Sequence, residues 1–226
     1  MQWTQSSAKA ILCAALTSLG AIAAHSQTSV AASLYGAFNG ATSGSGTQQS
    51  PANAAGGLFE LRHIKNPLVG YEAAYSYNRA NQNYLASPAS VCGAVCQQED
   101  AASVSSNAHE ISGAWVVSVP LGGIRPFALA GGGVLLNMPS AGSVITVTCP
   151  TTGTGPCSTS STPTSTSTKA VFVYGAGLDW SLLPHIGLRL QYRGNLYKAP
   201  DLVNAFSSTN AFTQTAEPMI GIYFRL

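Results

Sequence analysis

The chain has 226 residues, a formal net charge of +2 and only 8% charged residues, where an average soluble domain carries about 25%. Its ten Lys and Arg are scattered singly, with no basic run or stripe of the kind that binds nucleic acid, so that class of partner is excluded. A chain this poor in charge disperses badly in water, and the composition points to a second solvent.

Residues 1–26 read as a cleaved signal peptide. One positive charge, Lys9, precedes the apolar stretch "AILCAALTSLGAIAA", and "AHS" places small residues at the cleavage-determining positions, so the cut is expected before Gln27. Cys13 leaves with the leader. Cys92, Cys96, Cys149 and Cys157 remain, an even number in an exported chain, which predicts disulfides. "CGAVC" and "CPTTGTGPC" each lie in a loop-like stretch, and pairing within each is the simplest reading. A four-thiolate zinc site is the competing reading. It fits poorly, because the second spacing is too wide and the compartment is oxidising. No metal or cofactor is expected.

From residue 27 onward the chain alternates apolar with small or polar residues at the strand period of two. Eight such stretches follow in order, near 29–39, 54–63, 67–79, 108–119, 123–136, 169–182, 185–197 and 213–226. Short turns, "IKNP", "PLGG" and "LPH", alternate with long polar connections at 40–53, 80–107, 137–168 and 198–212. The third long connection holds "STSSTPTSTST", a low-complexity run that cannot build a core. Short turns at one end and long loops at the other are the two ends of a membrane barrel.

The charges decide which face is inside. Glu60, Glu72, Glu110, Asp179 and Glu217, with Arg62, Arg125, Arg189, Arg193 and Arg225, all lie opposite the apolar positions of their stretches. A cation facing lipid at mid-depth costs about 2–4 kcal/mol. Five acids matched by five arginines on one set of faces therefore predict a paired interior network. The opposite faces, including Ile220, Ile222, Phe224 and Leu226 of the terminal "EPMIGIYFRL", then have outer-membrane lipid as their partner. A soluble β-sandwich is the alternative, with the same charges on a solvated face. Loop asymmetry, the leader and Tyr75, Tyr77, Tyr174 and Trp180 near the ends of their stretches favour the membrane.

The terminal "MIGIYFRL" resembles the C-terminal insertion signal of outer-membrane barrels, with Gly221 and Phe224 in place and Leu226 where a terminal Phe is more usual. The eight-stretch layout is similar to the OmpA-type, OmpX-type and opacity-type small barrels. That resemblance implies an all-β, eight-stranded antiparallel up-and-down transmembrane barrel over residues 27–226 in the bacterial outer membrane. It also implies folding by the barrel-assembly machinery, short turns in the periplasm and four long outer loops. OmpA-type proteins often add a peptidoglycan-binding domain; this sequence ends at the barrel, and that activity is not carried over.

Candidate chemistry is sparse. "GAGLDW" and "AGGG" open no helix, so a phosphate loop fails its structural test; glycine permitting close approach of a large neighbour is the better reading. His109 lies beside Glu110, with Ser105 and Ser106 nearby, but strand neighbours point to opposite faces, so Glu110 cannot orient His109. An interior filled by ten charged side chains, with Tyr35, Gln191 and Tyr223 also directed inward, leaves no wide bore. The expectation is a non-enzymatic anchor whose outer loops contact an extracellular surface ligand. A narrow porin-like channel is second, and a lipid-modifying barrel enzyme third.

Overall fold

A computed structural model describes residues 27–66, 68–86, 98–150 and 155–226. The expected leader, Cys92 and Cys96 lie outside the described residues. Twelve strands follow in chain order: β1 (Gln27–Asn39), β2 (Thr42–Gly44), β3 (Thr47–Pro51), β4 (Ala54–Ile64), β5 (Val69–Ala86), β6 (Gln98–Ser118), β7 (Ile124–Pro139), β8 (Ser143–Pro150), β9 (Ser158–Pro163), β10 (Ser167–Ser181), β11 (Ile186–Lys198) and β12 (Phe212–Arg225). Eight of them form a closed antiparallel barrel in the circular order β1, β4, β5, β6, β7, β10, β11, β12. Closure comes from β12 returning to β1, with Leu34 opposite Ile220 and Val30 opposite Phe224. The C-terminus is tied in as well, since Leu226 N donates to Thr28 O at 2.9 Å. Every wall strand thus has two neighbours, and the barrel leaves no edge in the hydrocarbon.

Alternation sorts the side chains. Leu34 (73% exposed), Trp115 (69%) and Ile222 (63%) stand on the outer surface, while Glu60 and Arg189 are 0% exposed in the lumen. On β5 the outward series Val69, Tyr71, Ala73, Tyr75, Tyr77 ends at Arg79. At about 3.3 Å per residue and a tilt near 40°, Val69 to Tyr77 rises roughly 20 Å, close to the ~25 Å apolar band of outer-membrane barrels. The lumen is not uniformly polar. Val116, Phe127, Leu129, Val171 and Val173 form a buried apolar sector along β6, β7 and β10.

Glycines of the two clusters let the walls approach. A Cβ on Gly177 would sit 2.5 Å from the Phe127 ring, and one on Gly131 would sit 2.0 Å from Gly113 O. Gly177 is therefore the space into which Phe127 folds.

The outer end differs from a set of plain loops. β5 and β6 continue as a paired ribbon to Ala86 opposite Asp100. The connection 40–53 is the hairpin β2–β3, whose two turn residues Ser45 (φ 52°) and Gly46 (φ 76°) both adopt the left-handed conformation of a tight hairpin turn. The connection 137–168 holds the hairpin β8–β9, and the low-complexity "STSSTP" is β9 itself. Together these strands make an extracellular sheet in the order β2-β3-β5-β6-β8-β9. Hydroxyl pairing replaces apolar packing there: Thr146 Oγ1 and Thr162 Oγ1 meet at 2.6 Å in a buried position. Outside the hydrocarbon neither face of a strand has to be apolar, so these strands carry little of the pattern that marks the wall.

The connection 199–211 also departs from a free loop. Leu202, Val203 and Phe206 are buried against Tyr84, Ala102 and Val104 on the inner face of the extracellular sheet. The Tyr84 hydroxyl donates to Pro200 O at 2.9 Å and accepts from Leu202 N at 3.3 Å. Burial pushes this phenol well above its usual range, so it stays neutral and serves both bonds. Lys169 Nζ to Asp201 Oδ2 at 2.9 Å secures the same segment.

Placing a charge on the band should be costly and placing one on the extracellular sheet should not. We expect Leu34→Arg to lower unfolding stability in liposomes by about 2–4 kcal/mol and Ile145→Arg by under about 1 kcal/mol, read by denaturant titration of the folded, heat-modifiable form. Cys149 and Cys157 are disulfide-bonded across the β8–β9 turn. Non-reducing peptide mapping should recover this link, and changing both to Ser should leave the heat-dependent gel shift intact, because the hairpin stands outside the barrel wall.

Candidate functional site

The lumen is crossed by ion pairs in two layers. In the layer nearer the short turns, Arg62 on β4 donates from Nε (2.7 Å) and Nη2 (2.5 Å) to Glu72 Oε2 on the adjacent β5. Its Nη1 reaches Asp179 Oδ2 on β10 at 3.3 Å. Arg189 on β11 forks onto Asp179, Nε to Oδ1 at 2.7 Å and Nη2 to Oδ2 at 3.0 Å, and sends Nη1 to Glu60 Oε2 on β4 at 3.1 Å. β4 and β10 lie on opposite walls, so the Arg62–Asp179 pair spans the barrel's diameter. The Arg62 guanidinium lies 3.9 Å from the centroid of the Phe127 ring, which closes the layer with a cation–π contact.

The second layer lies nearer the outer mouth. Arg193 Nη2 on β11 donates to Glu110 Oε1 on β6 and to Ser112 Oγ, the latter at 2.7 Å. Asn195 Nδ2 completes Glu110 through Oε2 at 2.9 Å. Glu217 is the register partner of Arg193 across β11–β12 and is buried. Above this layer is a cavity of about 20 Å³ lined by Asn137, Asn195, Tyr197, Glu110 and Glu217, room for about one water molecule. Among the described residues, Arg193 Nε and Nη1, both polar atoms of the Gln191 amide and Glu217 Oε2 have no hydrogen-bond partner.

The remaining sequence candidates fall elsewhere. Arg125 and Arg225 are half-buried at the short-turn end. Arg125 is the register partner of Asp179, and Arg225 Nη2 donates to Ser181 Oγ at 2.6 Å and to the Tyr223 hydroxyl at 3.2 Å. Gly221 packs against β1, where a Cβ would lie 2.0 Å from Ser33 Oγ. Phe224 and Leu226 are exposed on the outer surface and Tyr223 is buried inside. The Ser–His–Glu set is not assembled. His109 faces outward and meets the Tyr75 hydroxyl through Nδ1 at 2.8 Å, whereas Glu110 faces the lumen. Sequence reasoning passed over Phe127, which carries Arg62, and Tyr84, Leu202 and Phe206, which hold the outer connection. For Tyr84 the signal was the alternation Ala80, Gln82, Tyr84, obscured by the Asn and Gln around it.

A closed antiparallel wall, apolar outside and ion-paired inside, defines an integral outer-membrane β-barrel. The model of the outer membrane protein beta-barrel domain family matches residues 10–215, and the chain belongs to that family; it is a bacterial outer-membrane protein. Among solved structures it is similar to the outer membrane protein OprG from Pseudomonas aeruginosa, at 10% identity over 90% of this chain and 97% of that one, with a TM-score of 0.52. Neisserial surface protein A aligns at 14% identity over 89% and 99% of the two chains, TM-score 0.48. Ail, the attachment invasion locus protein of Yersinia pestis, aligns at 13% identity over 91% and 100%, TM-score 0.42. The search of curated proteins found no match.

Removing one member of a buried pair leaves its partner charged and unpaired, which costs about 3–5 kcal/mol. Arg189→Met should therefore destabilise the barrel by that amount. Arg189→Met combined with Glu60→Met should cost less than the two single changes summed. A denaturant-based double-mutant cycle in liposomes measures this coupling, and additive losses would show that the pair does not act as a unit.

Proposed function

We propose that the protein is a non-enzymatic membrane anchor that presents its extracellular sheet and connections as a contact surface, in an adhesion or interaction role. The observation that supports this reading most directly is the lower ion-pair layer. Glu60 and Arg189 at its centre are fully excluded from solvent, so the lumen carries a packed plug where a porin carries water. Above the band, by contrast, β2, β3, β8, β9 and the ends of β5 and β6 build ordered surface that the wall itself does not need. Contact by such exposed, rigidly supported segments is a common location for binding. The partner expected there is an extracellular surface ligand, and biogenesis is expected to pass through the barrel-assembly machinery.

Planar bilayers and whole-cell binding separate this reading from a narrow channel. The anchor reading expects negligible conductance from the wild type. It also expects loss of surface binding when the hairpins at 42–51 and 143–163 are shortened while the heat-dependent gel shift persists. Steady single-channel conductance that falls in Arg189→Ala or Glu72→Ala variants with intact folding would replace it with the channel.

A further inference from the structure

The two luminal layers differ in their balance of charge. Nearer the short turns, Glu60, Glu72 and Asp179 meet Arg62 and Arg189, and the half-buried Arg125, register partner of Asp179, supplies a third positive charge. The outer layer is short of one. Among the described residues its buried charges are Glu110, Glu217 and Arg193, two acids against one arginine. Arg193 Nη2 is committed to Glu110 and Ser112. Lys169, at the outer end of β10, is paired with Asp201, and Arg79 and Lys198 stand exposed on the outer surface. One buried negative charge is therefore left without a counter-charge, which is costly in a narrow lumen.

The cavity of about 20 Å³ lies at this layer, and among the described residues Glu110 and Glu217 are the only charged ones that line it. Two of its lining side chains each carry an oxygen with no hydrogen-bond partner among the described residues: Glu217 Oε2 and Asn195 Oδ1. These residues are 2% and 3% exposed. The Asn195 amide cannot turn to offer a donor instead, because its Nδ2 donates to Glu110 Oε2 at 2.9 Å. The neighbouring hydroxyls have no proton to spare. Thr215 Oγ1 donates to Asn39 Oδ1 at 2.8 Å and so accepts from the Tyr197 hydroxyl at 2.9 Å. Asn137, also on the cavity wall, has an unpartnered Nδ2; its amide, turned over, supplies a third oxygen.

Acceptor oxygens without donors, one net negative charge and room for one atom-sized guest together describe a cation site. A water molecule would serve the two oxygens and leave the charge standing. A divalent ion would replace one uncompensated charge with its opposite. Carboxylate and amide oxygens select hard ions over soft ones. We propose that this cavity binds a single small monovalent metal cation of the sodium class, held by Glu217 Oε2 and Asn195 Oδ1 beside the Arg193–Glu110 pair. Such an ion neutralises the outer layer as Arg125 neutralises the inner one. The site is independent of the adhesion reading, since it lies inside the barrel.

Two measurements on the full-length folded protein test it. The first is denaturant unfolding in zwitterionic liposomes, in sodium chloride against N-methylglucamine chloride at equal ionic strength and one alkaline pH. Sodium at about ten times its dissociation constant should lower the wild-type unfolding constant by about tenfold. Glu217→Gln, which removes the surplus charge and keeps the shape, should unfold alike in both salts. Asn195→Ala, which keeps the charge and removes one ligand, should need about tenfold more sodium for the same effect. Folding of each variant is checked by its heat-dependent gel shift. The second measurement needs no variant: crystals of the wild type soaked in thallium acetate should show an anomalous peak between Glu217 and Asn195. A wild type that unfolds alike in both salts overturns the proposal, by showing that a water or a proton suffices. A folded Glu217→Gln protein that keeps the sodium effect, an Asn195→Ala protein with unchanged sodium dependence, or crystals without the thallium peak would each overturn it as well.

Discussion

Asp179 receives two guanidinium groups from different walls, and the barrel's cross-section depends on that junction. Arg189 reaches it from the neighbouring strand as a fork, and Arg62 reaches it from across the lumen. A buried carboxylate is costly unless its lone pairs are met, and a buried guanidinium unless its donors are. Glu60 and Glu72 complete the two arginines, so Asp179, Arg62 and Arg189 are each held by partners on two strands. The wall and the plug are then mutually required. The pairs need the strands at this separation, and the strands enclose a lumen too small to hydrate these charges individually.

Lipid imposes the complementary constraint outside. Within the band the backbone has no solvent to bond, so every strand must be paired on both sides and every outward side chain must be apolar or small. Above the band that requirement ends. β5 and β6 leave the ring as a long ribbon, acquire β3 and β8 as new neighbours, and carry Asn, Gln and Ser on surfaces that below would have to be apolar. The 199–211 connection then covers the inner face of this sheet through Leu202 and Phe206. An apolar cluster thus stands on the outer side of the ion-paired layers.

Arg79 and Lys198 mark where the two regimes meet. Both are long side chains whose charge can reach the headgroup level while their stems lie on the apolar surface, and Lys198 stands beside the Phe212 ring. Their placement defines the upper edge of the band from chemistry alone, and it agrees with the outer end of the Val69–Tyr77 series.

Much of the barrel is legible along the chain because a strand's period of two survives in sequence. The eight wall strands, the alternation of short turns with long connections, and the common parity of Glu60, Arg62, Glu72, Glu110, Asp179, Arg189, Arg193 and Glu217 follow from it. Three things do not. β2, β3, β8 and β9 lie outside the hydrocarbon, where no apolar face is enforced and no alternation is written. The partners of each charge are unreadable because Arg62 and Asp179 are separated by 117 positions and meet only when opposite walls are brought together. The burial of Leu202 and Phe206 against Tyr84 likewise requires the connection to fold back over the mouth. Which side of each wall strand faces lipid is already written along the chain, since that is a local property of alternate residues. Which charges pair, and what stands above the membrane, emerges when the ring closes and brings distant strands together.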